Sequence, residues 1–491
     1  MFDPNKYHYL FYDFETTGQS PCFDQPVRLA VIETDNQFNI IKKHNINIKL
    51  RNDILPHPKA LLVNKLSIQD LEIGENEYEA FKKIHEIFNT PNTISIGYNS
   101  LGFDDKFLRF GFYRNLLDPY SHQHSFKNGN TFRADLYNMI FVYYLYKNQE
   151  SITWPIVNNR LSLRLENINA LNNLYEGMSH DAEVDVHVTI ELAKRLHAID
   201  IKMWNYLISN FIKDNEKNNF NKLPTLNCIN DTQYKIGIYI SNKMGLASNY
   251  CAPVIYLCEE NNKHNSILLL RLDQYDFTNF KESNFTSKIK KGIISKKFGE
   301  PNFIIPFTDQ YFKSINEHII SLAKENLNWI KHHPQAIHDL IHLKQDHQYP
   351  QISNIDLDAS LYQESFFSND DYNVMDSFHQ KSLDDKVLYV QSMPEGRIKE
   401  IAIRIICRNY LSDLDNAELL DYYDNYLNSI LYQQSEHPDF RGDLRKNPMD
   451  LLHETKDLLK KKELDEHDLN ILNSLKDLIS LKTRKQQDLG F

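Results

Sequence analysis

An apolar, aromatic run that stops at a carboxylate constrains this chain more than any other stretch. Residues 7–12 read Tyr-His-Tyr-Leu-Phe-Tyr, which suits a buried central strand, and Asp13-Phe14-Glu15-Thr16-Thr17-Gly18 follows at once. Strand side chains alternate between faces, so Asp13 and Glu15 point the same way, into a crevice at the strand's carboxyl edge. Alone, such a pair reads as two solvated acids. Two further patches change that reading. Asn99-Ser-Leu-Gly-Phe103-Asp104 follows a short apolar strand at 93–98, and His180-Asp181-Ala-Glu-Val-Asp185 opens a helix with one apolar stripe. Together they supply four carboxylates and a histidine, an inventory able to hold two hard divalent cations and activate a water.

Each patch also has a purely structural reading. Thr16, Thr17 and Gly18 make a tight turn whose hydroxyls and amides can hold a sugar hydroxyl, yet such turns need no ligand. Asp104 and Asp105 are equally good helix caps, and periodicity does not say which of them faces a metal. Asp181 is the better cap of its helix, which leaves Asp185 on an apolar face where a charge demands a partner. His180, just ahead of that helix, is placed to take a proton from a metal-bound water.

At 491 residues the chain is too long for one core. The first part alternates strands and helices: a hairpin at 27–34 and 39–50 about the Asp35-Asn36 turn, and helices at 75–88, from 103, at 160–174 and at 181–198. Residues 213–231 are rich in Asn, Lys and Asp and read as a linker. Strands at 234–240, 252–258 and 266–272 follow, then a stretch at 281–297 with six lysines against one glutamate, then helices over 311–343. A seam at 348–356 precedes helical runs at 397–410, 417–432, 449–461 and 465–481. The expected division is 1–200, an α/β domain with a mixed sheet; 201–350, small and β-rich with flanking helices; and 355–491, all helical.

The net charge of −11 argues against gripping nucleic acid by overall charge and leaves a local basic groove open. No apolar run approaches a membrane span, and the first residues lack a basic segment followed by an apolar one, so a cytoplasmic protein with no membrane partner is expected. Five scattered cysteines suit a reducing compartment. The spacing of Cys251, Cys258 and His264 fits no common zinc pattern, so these cysteines read as buried strand residues.

The acidic trio resembles the DEDDh exonuclease superfamily. Gly97-Tyr-Asn-Ser-Leu-Gly-Phe-Asp-Asp105, Phe112-Tyr-Arg-Asn-Leu-Leu-Asp-Pro-Tyr120, Ile152-Thr-Trp-Pro155, Ser162-Leu-Arg-Leu-Glu166 and Asp358-Ala-Ser-Leu-Tyr-Gln-Glu-Ser-Phe-Phe-Ser368 are similar to its bacterial exodeoxyribonuclease I family, so the likeness spans nearly the whole chain. It implies an RNase H-like catalytic domain, an SH3-like domain and a helical domain forming a C-shaped body. It makes Asp13, Glu15, Asp104 and Asp185 the metal ligands, Asp104 because it directly follows Phe103, and His180 the general base. Two Mg²⁺ ions are implied, with Mn²⁺ as an alternative: one on Asp13 and Asp185 positioning a water, one near Asp13 at the departing 3′-oxygen. The implied activity is 3′-to-5′ hydrolysis of single-stranded DNA to 5′-mononucleotides, serving DNA repair and recombination.

The same resemblance assigns substrate contacts to Glu15, Thr16, Thr17, Leu66 and Arg164, with Leu66 either an apolar wedge against terminal bases or a core residue. It makes the lysine-rich 281–297 stretch a candidate phosphate track, with Phe280 and Phe285 as stacking platforms, or else a solvated loop. It implies a monomer that docks the C-terminal tail of single-stranded DNA-binding protein (SSB), with Lys147 where the family's example has an arginine. That swap loses bidentate pairing to a carboxylate. Two rivals are a DEDDh exoribonuclease, which leaves most of this chain without a use, and a non-catalytic single-stranded DNA-binding protein, disfavoured because all five catalytic positions are present.

Overall fold

The computed structural model describes residues 3–123, 130–147, 152–177, 181–261, 263–280, 282–345, 351–432, 436–461 and 464–484. Its first sheet has five strands: β1 (His8–Thr16), β2 (Pro26–Thr34), β3 (Ile40–Asn47), β4 (Thr93–Gly97) and β5 (Thr131–Asp135). Their order is β3-β2-β1-β4-β5, with β1–β3 antiparallel and β4 and β5 parallel to β1. The carboxyl ends of β1, β4 and β5 therefore share one edge, where open α/β sheets place ligands. The apolar run does not stop at Asp13 as expected. β1 continues to Thr16, because β2 goes on pairing with it until a bulge at Glu15 and Thr16.

The alternation of β1 builds two cores. Leu10, Tyr12 and Phe14 face one way, against Phe81 and Phe88 of one helix and Leu108 and Phe112 of another. These helices belong to the series α1 (Pro58–Asn64), α2 (Ile68–Leu71), α3 (Glu77–Phe88), α4 (Asp104–Arg114), α5 (Leu136–Tyr146), α6 (Leu165–Asn172) and α7 (Ala182–Ile199). Tyr9 and Phe11 face the other way, under α5 and α7. Where the expected helix at 160–174 begins, the chain instead makes a ribbon of β6 (Ile156–Val157) and β7 (Arg160–Leu161), and α6 supplies only its later part. Asn158 and Asn159, both left-handed at φ 50° and 60°, form its turn.

The second sheet is antiparallel. β9 (Gln233–Ile240), β10 (Cys251–Glu259), β11 (Ser266–Arg271), β12 (Ile293–Lys297) and β13 (Phe303–Pro306) run in the order β12-β11-β10-β9-β13, and β8 (Thr225–Asn227) also pairs with β9. The expected linker at 213–231 is ordered: it holds a helix, Lys213–Asn221, and β8. Glu216 of that helix is buried against Lys296 at 2.9 Å and accepts from the Gly299 amide, so polar composition hides a tethered segment. Lys296, expected on an exposed phosphate track, is therefore inside. Phe285 is inside too, fully buried and stacked on Trp329 with centroids 4.7 Å apart, so it is no platform for bases. Phe280 is half-buried against the same core.

One apolar core runs without interruption from Phe11 and Ile96 through Tyr143 and Trp204 to Ile238, Phe303 and Trp329. The expected boundary at residue 200 falls inside it: Trp204 Nε1, beyond that line, donates to the Tyr9 hydroxyl at 3.2 Å. From residue 357 on, the described residues hold helices and no strand, chiefly Asn369–His379, Leu383–Ser392, Arg397–Tyr410, Ala417–Leu427, Pro448–Leu459 and Glu466–Arg484. The last of these packs on α1 and α2. A buried charge network ties this part to the first sheet: Arg408 reaches Asp53 at 2.9 Å and Asp358 at 2.5 Å, while Arg51 pairs with Asp53 and Glu77. All five cysteines are free. Among the described residues no helix is long and apolar enough to cross a membrane.

Candidate active site

At the shared carboxyl edge lies a cleft of about 1240 Å³ that Asp13, Glu15, Asp104 and Asp185 all line. The fold explains each placement. Asp13 and Glu15 continue the face of β1 that carries Tyr9 and Phe11, at the point where the strand emerges from beneath α7. Asp185 sits in the first turn of α7, which Asp181 caps by accepting from the amides of Glu183 and Val184. Asp104 opens α4, and its Oδ1 accepts from the Phe14 amide at 3.2 Å, so β1 itself holds it.

Asp105, its neighbour, points away. It is buried against Arg109 at 2.7 Å, Arg133 at 2.5 Å and His122 at 2.9 Å, and these partners hold its carboxyl well below the usual range. The alternative left open by periodicity is thereby resolved in geometry: Asp104 faces the cleft and Asp105 does not.

The electrostatics of Asp13, Glu15 and Asp104 are the reverse of those of Asp105. Withdrawal from bulk water, then the charges of Asp104, Glu15 and Asp185, raise Asp13 well above an ordinary carboxylate. Glu15 is pushed up to about 8 by burial and then by Asp185 and Asp104, with Arg28 opposing. Asp104 rises to about 7, chiefly from burial, against hydrogen bonds from the Phe14 amide and its own. Four carboxylates sharing one cleft, three of which resist ionising, lack a positive charge, and that oxygen-donor chemistry fits Mg²⁺ or Mn²⁺. Among the described residues no three His, Cys, Asp or Glu side chains converge on a single ion-binding point. His180 lies outside the described residues.

The turn after β1 is built for rigidity. Thr16 lines the cleft, its hydroxyl donating to the Gly18 carbonyl at 2.7 Å. At Gly18 a Cβ would meet the Asp24 carboxylate at 2.3 Å, so only glycine fits. Two expected substrate contacts are corrected by the packing. Thr17 is fully buried, and its hydroxyl accepts from the Gln25 amide at 2.9 Å and reaches Asp24 at 3.4 Å, so it braces the turn and does not line the cleft. Leu66 is also absent from the lining. It is 5% exposed and packs with Leu61, Leu71, Ile471 and Leu475, while the apolar side chain on that wall is Val63, 48% exposed. Arg164 stands on the opposite wall, exposed, 3.7 Å from Glu166.

Sequence reasoning missed two groups. Asp135, at the end of β5, is 1% exposed and accepts from the amides of Asn99 and Leu101 at 2.8 and 3.2 Å, fixing the loop that delivers Asp104. An aspartate closing a short strand, Thr131–Asp135, was its only signal. The second group is the 439–446 loop, which brings Arg441, Arg445 and Lys446 to the cleft from the helical part, joined by Lys59 of α1. Its signal was a basic cluster interrupting the helical periodicity before Pro448.

A mixed sheet with four acids at its carboxyl edge, faced by basic residues of the helical part, is the arrangement of an exonuclease-type protein. The family model described as Exonuclease matches residues 10–193, and that of the Exonuclease I C-terminal domain matches residues 355–480. The exodeoxyribonuclease I of Buchnera aphidicola subsp. Baizongia pistaciae is 29% identical over 444 residues, spanning 86% of this chain and 88% of that one. The Escherichia coli K12 protein of the same name is 28% identical over 432 residues, 84% and 87% of the two chains. The structure of E. coli exonuclease I in complex with a dA16 oligonucleotide superposes with a TM-score of 0.82 at 22% identity, covering 97% of this chain and 100% of that one. The chain belongs to the exodeoxyribonuclease I family.

Proposed function

We propose that this exodeoxyribonuclease removes nucleotides one at a time from the 3′ end of single-stranded DNA, releasing 5′-mononucleotides, with two divalent cations held among Asp13, Glu15, Asp104 and Asp185. The observation that carries the reading is that these four acids, from a strand and two helices, line one cleft that disfavours ionisation of Asp13, Glu15 and Asp104. Bound there, Mg²⁺ ions supply charge stabilisation at the attacking and departing oxygens of an in-line displacement. The chain's own residues do the rest. Glu15 and Thr16 receive the terminal sugar on a turn that Thr17 and Asp24 hold rigid. Tyr98 and Phe103 offer aromatic faces to the bases, and Arg441, Lys446 and Lys59 offer charge to the phosphates. His180, one residue ahead of the cap of α7, is the proposed general base.

A cleft walled by the α/β part, Asn242 just beyond β9 and the 439–446 loop encloses a strand on several sides, which favours repeated cleavage before release. The RNase H-like and SH3-like assignments of the first two domains, a monomeric state, and service in DNA repair and recombination belong to the same reading. Docking of the SSB tail at Lys147 meets a competitor, because Lys147 Nζ already stands 3.2 Å from Asp200. The test is time-resolved digestion of a 5′-labelled single strand and its duplex, with and without chelator, and with Asp185→Ala as control. Equal digestion by the variant would remove Asp185 from the site, and duplex shortening at the single-strand rate would overturn the substrate.

A further inference from the structure

Away from the cleft, the helix Pro334–Gln345 follows Glu317–His332 and packs on the second sheet, with Ile337 and Leu340 fully buried. Its outer face carries His338 and His342, one turn apart. Their Nε2 atoms face each other at 3.2 Å with ring centroids 4.4 Å apart, and both side chains are exposed. Nothing in the DNA cleft involves them; neither is among its lining residues.

Two imidazoles with converging Nε2 atoms share at most one proton between them, and a metal ion can take that proton's place. The geometry suits one. With each nitrogen at about 2.05 Å from Zn²⁺, a 3.2 Å separation sets the N–Zn–N angle at roughly 103°, close to tetrahedral. The helix spaces the ligands in advance, so the second nitrogen binds as an intramolecular group. Nδ1 of His338 stands 3.4 Å from Gln335 Nε2 and 4.0 Å from Asp339 Oδ1, so the Asp339 carboxylate is the acceptor on the side that must carry the proton once Nε2 is a ligand.

We propose that His338 and His342 form a surface site for a borderline transition-metal cation of the Zn²⁺ class, separate from the carboxylate cleft and selective against Mg²⁺, which prefers oxygen ligands. Water completes the coordination, and the bound ion clamps the last turns of the helix. Binding uses the Nε2 lone pair of each ring.

The test uses the full-length, untagged protein on immobilised Cu²⁺, eluted with imidazole, and Zn²⁺ titrated into it in the presence of excess Mg²⁺. His338→Ala and His342→Ala are each expected to weaken Zn²⁺ binding at this site roughly tenfold or more and to elute early. His453→Ala removes an exposed helical histidine whose neighbour one turn on is Asp457, and it should elute as the parent does. Mg²⁺-dependent digestion should be unchanged in both His338→Ala and His342→Ala, which separates this site from the nuclease reading. Elution and Zn²⁺ titration of both variants identical to the parent would overturn the proposal. So would equal loss on His453→Ala, which would mark adventitious surface retention.

Discussion

Asp104 and Asp105 are neighbours in the chain and opposite in circumstance: the first faces the cleft under the Phe14 amide, the second is locked between Arg109, Arg133 and His122. Arg133 also reaches Glu300, in the connection between β12 and β13, at 2.8 Å, so Asp105 anchors a staple between the two sheets. Asp105→Asn leaves buried guanidinium groups under-paired and is expected to cost about 3–5 kcal/mol. Asp104→Asn removes a repelled carboxylate, so melting should hold or rise while the digestion rate falls ~10²-fold or more. Thermal melts beside digestion assays check both. Destabilisation by Asp104→Asn with activity intact would reverse the two roles.

The contrast shows what the sequence could and could not disclose. Periodicity marked both aspartates as caps because a cap signature is local, while their separation depends on Arg133 of β5 and, behind it, the distant Glu300. The helices at 397–410 and 417–427 were legible because their apolar stripes are long. The segment at 213–231 was misjudged because its order rests on Glu216 meeting Lys296, a contact invisible in composition. Leu66 and Thr17 follow the same rule: residue type allowed a role at the cleft, and packing by Ile471 and hydrogen bonding to Gln25 assigned another.

The raised carboxyls predict how stability follows pH. Glu15, at about 8, and Asp104, at about 7, hold protons in the folded chain that the unfolded chain releases near pH 4. The folded state therefore binds more protons across that window, and without divalent cations its stability falls as pH rises from about 5 to 8. Mg²⁺ competes with those protons and relieves the same repulsion, so its stabilising effect should grow over this window. Melting curves in chelator and in Mg²⁺ across the range provide the check. A Mg²⁺-induced shift no larger at about pH 8 than at about pH 5 would contradict the assignment.

Arg408 joins the helical part to the first sheet through Asp53 and Asp358, and donates to the Tyr426 hydroxyl at 2.6 Å. Arg408→Ala takes one guanidinium from two buried carboxylates, leaving Asp53 with Arg51 and Asp358 with Arg404, and is expected to cost about 3–5 kcal/mol, with the helical part becoming accessible to protease first. Lys194→Ala, which breaks a half-buried surface pair with Glu191, should leave melting nearly unchanged. If the two variants melt alike, the buried network does not hold the parts together.

Val63 lies in the last turn of α1 and Leu66 just past its left-handed cap Lys65, yet only Val63 presents its side chain to the cleft. Leu66→Ala opens a cavity beneath the final helix and is expected to cost about 2–5 kcal/mol, with binding of a short single strand unaffected at temperatures where the variant is folded. Val63→Ser changes an exposed side chain, so stability should stay within about 0.5 kcal/mol. Because Val63 lines the same cleft as Thr16 of the turn proposed to receive the terminal sugar, the same change should weaken capture of the strand's terminus, raising KM for short oligonucleotides more than it lowers kcat. Steady-state kinetics on oligonucleotides of graded length, paired with melting curves, distinguish the two positions. A KM effect from Leu66→Ala and none from Val63→Ser would return the wedge to Leu66 and require the α1 wall to move when DNA binds.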